Sequence, residues 1–210
     1  MSAPGRYIVI EGNDGTGKST QVELLRERLA QHGITSLEFH EPAGTPVADA
    51  IRTVIKNGAL ERQPTTNLLL FTAARHELWH SAAHALAQGQ WIVSSRNYYS
   101  TLAYQGYGEG LGTHTIIDMT RRFTDERYMT PDCSLILTLD TKTRQQRLSG
   151  RGDFAQTDTF EGRDDQFQAR IDDAYAAIAA DYRIPTIDAS ATPEKIAEHI
   201  WTYVAKLIER

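Results

Sequence analysis

Residues 12–19 read GNDGTGKS, and no other stretch of the chain restricts its fold so tightly. The spacing G-x-x-x-x-G-K-[ST] requires a strand before it and a helix after it: the glycines let the backbone turn sharply while its N–H groups converge on an anion. Both flanks comply. RYIVIEG, 6–12, is a short β-rich run, and Val22, Leu25 and Leu29 recur at helical spacing through KSTQVELLRERLAQHG, which Gly33 ends as a C-cap. In that setting Gly12, Asn13, Asp14, Gly15, Thr16, Gly17, Lys18, Ser19 and Thr20 are predicted to cradle the phosphates of ATP. The helix N-terminus adds positive potential, Lys18 bridges the terminal phosphates, and the Ser19 hydroxyl is the predicted Mg²⁺ ligand.

The rest of the chain repeats the alternation. ITSLEFHEP is a second strand, stopped by Pro42; QWIVSS is a third, and CSLILTLD and IPTID supply two more. Between them TPVADAIRTVIKNG, TTNLLLFTAARHELWHSAAHALAQG, TRQQRLSG and DDQFQARIDDAYAAIAADY read as helices, with a further helical stretch around 118–127. The last helix follows Thr192, a capping residue, and Pro193, which suits a first turn. Five short strands separated by helices imply an α/β fold: a parallel sheet covered on both faces, with ligands at the C-terminal strand ends. Nothing in the chain marks a linker or repeat, so residues 1–210 are expected to form one domain.

Composition narrows the function. A net charge of −5 gives no electrostatic reason to bind polymeric nucleic acid. No apolar run approaches the roughly 20 residues that span a bilayer, and MSAPGRYIVIEG has neither a basic leader nor a long apolar core, so a cytoplasmic protein with no membrane partner is expected. The single cysteine, Cys133, excludes an internal disulfide and reads as a core thiol beside SLILTL. A guanine-specific GTPase would carry N-K-x-D, which is missing. A motor ATPase would carry a glutamate after the acid that ends LILTLD, but Thr141 follows Asp140, which reads as a helix cap. A kinase for a small phosphorylated acceptor needs a second anion site facing the cradle, and arginines are available for it.

Four motifs in order then resemble the thymidylate kinase family. EGNDGTGKST is similar to E-G-x-[DE]-G-[AS]-G-K-[ST]-T; EPAGTPVADAIR to E-P-G-G-T-P-x-x-E-x-I-R; LLLFTAARHELWH to L-L-F-x-A-x-R-x-x-H; and RNYYSTLAYQG to D-R-Y-x-x-S-x-x-A-Y-Q-G. PDCSLILTLD and an arginine-bearing lid segment follow as in the family. The resemblance implies a P-loop NTPase three-layer fold with a mobile lid at about 147–163. It also implies transfer of the ATP γ-phosphoryl group to dTMP, giving dTDP. A related kinase for dUMP or a modified pyrimidine, and a nucleotide-binding regulatory protein without catalysis, are the alternatives the residues leave open. A homodimer is implied by the resemblance alone.

By the same resemblance Phe71 stacks on the pyrimidine and Arg75, one turn on, reaches a ring carbonyl; positions four apart share a helix face. Arg96 grips the acceptor 5′-phosphate with its planar fork, with Arg52 and Ser100 beside it. Thr101 and Gln105 meet the pyrimidine edge, and Tyr104 crowds the sugar 2′ position. Asp14 orients the acceptor phosphate or a metal-bound water, and Glu41 holds metal water or fixes its loop. Some members carry a catalytic arginine inside the cradle, where this chain has Gly15; the lid must then supply the cation, with Arg147 and Arg151 at the family spacing R-x-x-x-R-G and Arg163 as a substitute. Lys18, Asp14, Arg96, Arg147 and Arg151 are thus the predicted catalytic set. Three positions depart from the pattern: Ser95 replaces an aspartate, Asn97 a usual aromatic, and Thr159 a lid arginine.

Overall fold

The computed structural model describes residues 4–150, 159–160 and 163–209. Five strands, β1 (Tyr7–Gly12), β2 (Ser36–His40), β3 (Trp91–Ser95), β4 (Cys133–Thr138) and β5 (Thr186–Asp188), form one sheet in the order β2-β3-β1-β4-β5. Every neighbouring pair is parallel. Alternation along the strands divides the core into two apolar layers. Tyr7, Val9, Ile92 and Ile136 pack on one face with Leu68, Trp79, Tyr128, Ile171 and Tyr175. Ile8, Ile10, Val93, Leu135 and Leu137 face the other way, against Val22, Leu25 and Leu29 and against Ile196, Ile200 and Val204. All these side chains are buried. This is the expected three-layer α/β arrangement, and the near-continuous apolar strands follow from burial on both faces.

The helices are α1 (Lys18–Gln31), α2 (Pro46–Lys56), α3 (Pro64–Ala87), α4 (Tyr98–Thr101), α5 (Thr113–Phe123), α6 (Glu126–Met129), α7 (Thr141–Ser149), α8 (Asp165–Asp181) and α9 (Pro193–Ile208). Their starts follow local chemistry. Thr45 accepts from the Ala48 N–H ahead of Pro46, Asp140 from Thr143 N–H, and Asp164 from Phe167 N–H. Asp140 is therefore a helix cap, as its sequence suggested. Thr192 holds the N-cap position of α9, but its side chain makes no capping bond. Gly33 follows α1 at φ 75°, the left-handed geometry of a C-terminal stop. The stretch around 118–127 divides into α5 and α6 where Asp125 accepts from Tyr128 N–H and restarts the helix.

Two details of the expected layout change. Cys133 is partly buried rather than a core thiol, and burial pushes it up to about 11. The segment after α4, Leu102–Gly108, is a π-helix, a rare wide turn often found at functional sites. Its sequence, LAYQGYG, carries no signal for that conformation. Within the expected lid, residues 151–158 and 161–162, including Arg151 and Asp158, lie outside the described residues. No helix among the described residues is long and apolar enough to cross a membrane.

Candidate active site

The phosphate cradle leaves the C-terminal end of β1, the central strand, where the sheet order turns outward in both directions. Gly12 (φ 138°) and Gly15 (φ 85°) make its bends. At Gly12 a Cβ would lie 2.4 Å from the Leu137 carbonyl oxygen, so no side chain fits there. At Gly15 it would meet the Cγ of the buried Arg144 at 3.1 Å. An arginine at position 15 would thus be strained in backbone conformation and crowded by Arg144. Lys18 Nζ donates to the Asn13 carbonyl oxygen at 2.9 Å, Thr16 Oγ1 to the same oxygen at 2.9 Å, and Asn13 Nδ2 to Asp172 on α8 at 2.7 Å.

In front of the cradle lies a cleft of about 290 Å³. Asp14, Gly15, Gly17, Lys18, Ser19 and Thr20 form one wall; Glu41, Arg52, Phe71, Arg75, Arg96, Ser100, Thr101, Tyr104 and Gln105 stand on the others. Every acceptor-binding residue expected from sequence therefore reaches one cavity. Gly12, Asn13 and Thr16 shape the loop without lining it. His40, Lys56, Asn97 and Phe160 line it too.

The loop after β3 is held by a buried acid that sequence reasoning passed over. Glu11, fully buried, accepts from the N–H groups of Asn97 (2.8 Å) and Ser100 (3.1 Å), and from the hydroxyls of Ser100 (2.8 Å) and Tyr175 (2.9 Å). A carboxylate ending an apolar strand, directly before the cradle, was the available signal: burying it costs several kcal/mol unless its oxygens are satisfied. Arg96 adopts φ 77°, rare for a residue with a side chain. Glu11 and its partners hold that conformation from below. The strained arginine then aims its fork along the cleft, donating to Gly12 O (3.2 Å), Ser100 Oγ (2.9 Å) and Tyr175 Oη (3.2 Å), and pairing with Asp14. Burial opposes ionisation of Asp14, but Arg96, Lys18 and Lys56, with the Tyr104 hydroxyl, hold its carboxyl well below the usual range. Tyr104 Oη lies 2.9 Å from Asp14 Oδ2 and 3.0 Å from Asn13 Oδ1, tying the π-helix to the cradle.

The other end of the cleft is a second buried ion pair. Arg75 Nε donates to Glu41 Oε2 (3.1 Å) and to Tyr128 Oη (2.7 Å), Nη2 donates to Thr101 Oγ1 (2.7 Å), and Tyr128 donates to Glu41 Oε1 (2.6 Å). Burial raises the Glu41 pKa against the pull of Arg75 and the Tyr128 hydroxyl. Glu41 thus fixes Arg75 and its own loop. Tyr128, whose sequence context is a polar turn, has no motif to announce it. His40 is pushed down to about 4 by burial and by Arg96, Arg52, Lys18 and Lys56, so the cleft holds a neutral imidazole among cations. Phe71 stands 6.0 Å from Phe160, ring centre to ring centre.

The lid arginines are dispersed. Arg147 lies within α7, as the helical reading of TRQQRLSG expects, does not line the cleft, and donates to Ala189 O at 3.0 Å. Arg163 pairs with Glu109 at 2.8 Å and sits over Phe167. Thr159 Oγ1 donates to Ile55 O at 2.7 Å, fastening its segment to α2.

A phosphate cradle opening directly into an arginine-walled cleft defines a P-loop protein equipped to bring two phosphorylated ligands together. The thymidylate kinase family model matches residues 10–200. The chain is 35% identical over 209 residues, 98% of its length and 99% of the relative's, to the thymidylate kinase of Rhizorhabdus wittichii. It is 36% identical over 203 residues, 94% and 92% of the two chains, to that of Gluconobacter oxydans. The chain belongs to the thymidylate kinase family.

Proposed function

We propose that this chain is an ATP-dependent kinase that transfers the γ-phosphoryl group of ATP to the 5′-phosphate of dTMP, giving dTDP for dTTP synthesis, and that residues 1–210 form one kinase domain. The observation that carries the reading is the shared cleft: Lys18 and Ser19 stand on one wall and Arg52, Arg96, Phe71 and Arg75 on the others. A 5′-phosphate at Arg96 and a pyrimidine between Phe71 and Arg75 would point the acceptor at the cradle.

An acceptor phosphate oxygen attacks the γ-phosphorus, the bond to the β-phosphate oxygen breaks, and ADP departs. The protein contributes position and charge. Arg96 and Arg52 hold the acceptor phosphate, Lys18 and the loop N–H groups hold the donor, and Asp14 stays ionised to orient Arg96. Mg²⁺ fits the cradle wall: the Ser19 hydroxyl in the first turn of α1 is a hard oxygen ligand for it, and the Asp14 carboxylate, paired with Arg96, stands on the same wall to orient a metal-bound water. Ser19 would hold the ion, which would supply positive charge to the phosphates when bound. Glu11 and Glu41 are committed to protein donors and take no part in metal binding. Arg151, at the R-x-x-x-R-G spacing that the chain shares with the family, is the lid cation assigned to the transferring group, with Arg147 as the alternative.

A homodimer is part of this reading, supported by the exposed apolar Val47 and Val54 on α2 and Leu69 on α3; light scattering of the purified chain would check it. The kinase assignment is tested by offering ATP with dTMP, dUMP, dCMP and dGMP and separating the products. dTDP should form fastest. ATP binding without diphosphate formation from any acceptor would contradict the proposal.

A further inference from the structure

Among the described residues, a small set of buried side-chain nitrogens has no hydrogen-bond partner, and three of the residues concerned line the cleft: Arg52 (Nε), Arg75 (Nη1) and Asn97 (Nδ2). Leaving a buried donor unpaired costs about 1–3 kcal/mol, so such groups call for an explanation. Arg52 and Arg75 have one in the acceptor roles proposed above. Asn97 has none, and its position usually carries an aromatic ring in the pattern the chain resembles.

The amide of Asn97 is set like a fixed tool. The residue is fully buried in extended backbone at the start of α4, and its Oδ1 accepts from Tyr99 N–H at 2.9 Å. That bond fixes which end of the amide is which. Its own N–H donates to Glu11 at 2.8 Å, so the backbone beneath it is anchored as well. Nδ2 can only donate, and the partner it requires is therefore an acceptor oxygen. Its chain neighbour is Arg96, and Ser100, one turn on, binds both Arg96 and Glu11. The one strongly accepting ligand group that the proposed function brings to this corner is the acceptor phosphate.

We infer that Asn97 is a further substrate-binding residue, its Nδ2 donating to a phosphate oxygen of the monophosphate acceptor beside the Arg96 fork. The inference rests on the acceptor site proposed above. It also accounts for a neutral residue at this point: an amide adds a donor without another cation, so Arg96 keeps its pairing with Asp14.

Two variants separate the donor from the cap. N97S retains a good N-cap but replaces the amide donor by a shorter hydroxyl, and N97D keeps the isosteric capping oxygen while replacing the donor by an acceptor. Calorimetric titration should show dTMP bound about tenfold more weakly by N97S and about a hundredfold more weakly by N97D, as expected for a hydrogen bond to a charged group. ATP affinity, and the affinity for thymidine, which lacks the phosphate, should stay within twofold of the parent protein. R96A marks the acceptor phosphate independently. If N97S binds dTMP like the parent while R96A is weakened, the Asn97 assignment fails and the acceptor site stands. If both bind like the parent, the placement of the phosphate at Arg96 fails with it. Equal losses for thymidine and dTMP, or losses confined to ATP, would also overturn the inference.

Discussion

The two sides of the cleft are built on different principles. On the acceptor side two of the arginines are already paired inside the protein, Arg96 with Asp14 and Arg75 with Glu41 and Tyr128, and Glu11 lies beneath the loop that carries Asn97 and Ser100. On the lid side, the arginines among the described residues are tied to groups away from the transfer point, Arg147 to Ala189 and Arg163 to Glu109. A buried ion pair is costly to desolvate, yet removing one partner costs more than the pair is worth. Acceptor-side geometry is therefore fixed by folding, whereas the lid-side arginines among the described residues do not line the cleft. Specificity and catalysis should accordingly fail separately.

The largest effect should come from the lid. R151A should lower kcat by about 10³-fold or more, the loss expected for a cation on the transferring phosphoryl group, with dTMP affinity little changed. R147A, assayed the same way, should cost far less, since Arg147 gives up one hydrogen bond to a backbone carbonyl. A reversal of that order would assign the cation to Arg147 and break the contrast.

Next in size, R96A should weaken dTMP binding about a hundredfold and also lower stability by about 3–5 kcal/mol, because Asp14 is left without its partner. Chemical denaturation and dTMP titration on the same sample would read both. A variant that lost affinity with full stability would mean that the Arg96–Asp14 pair does not organise the site.

Much of this site could be read from the chain, and the parts that could not share a physical cause. GNDGTGKS is marked by its spacing between a strand and a helix, and Phe71, Arg75, Arg96 and Gln105 by the motifs that resemble the family. Glu11 and Tyr128 act through partners 53 to 164 residues away in the chain, which meet them only once the fold brings β1 beside β3 and carries α3, α6 and α8 to the same side of the sheet. No local pattern encodes such neighbours. The sheet was legible because five apolar runs alternate with helical ones; the π-helix was not, because its residues would fit an α-helix equally well. Arg147 falls in the expected TRQQRLSG helix, which Asp140 caps and which runs through Ser149.

Smaller effects sharpen the comparison. Y128F removes one hydroxyl that bridges Arg75 and Glu41, and should cost about 1–3 kcal/mol in denaturant unfolding. His40 gives a pH signature. Its folded value, lowered to about 4 by burial and then by Arg96, Arg52, Lys18 and Lys56, lies under the unfolded value of about 6.5. Protonation therefore favours the unfolded chain. The stabilising contribution is whole above about pH 6.5, falls as the pH drops toward about 4, and amounts to at most about 3 kcal/mol. H40N should flatten the stability profile in that window. A parallel profile for parent and variant would show that His40 is not held neutral.

The central claim, that the acceptor site is assembled by folding and needs no donor, is tested most directly by titrating dTMP into the nucleotide-free protein and again with ADP and Mg²⁺ present. The account predicts saturable binding in both, with dissociation constants within about tenfold of each other. Binding of dTMP that is detectable only after ADP is added would contradict it.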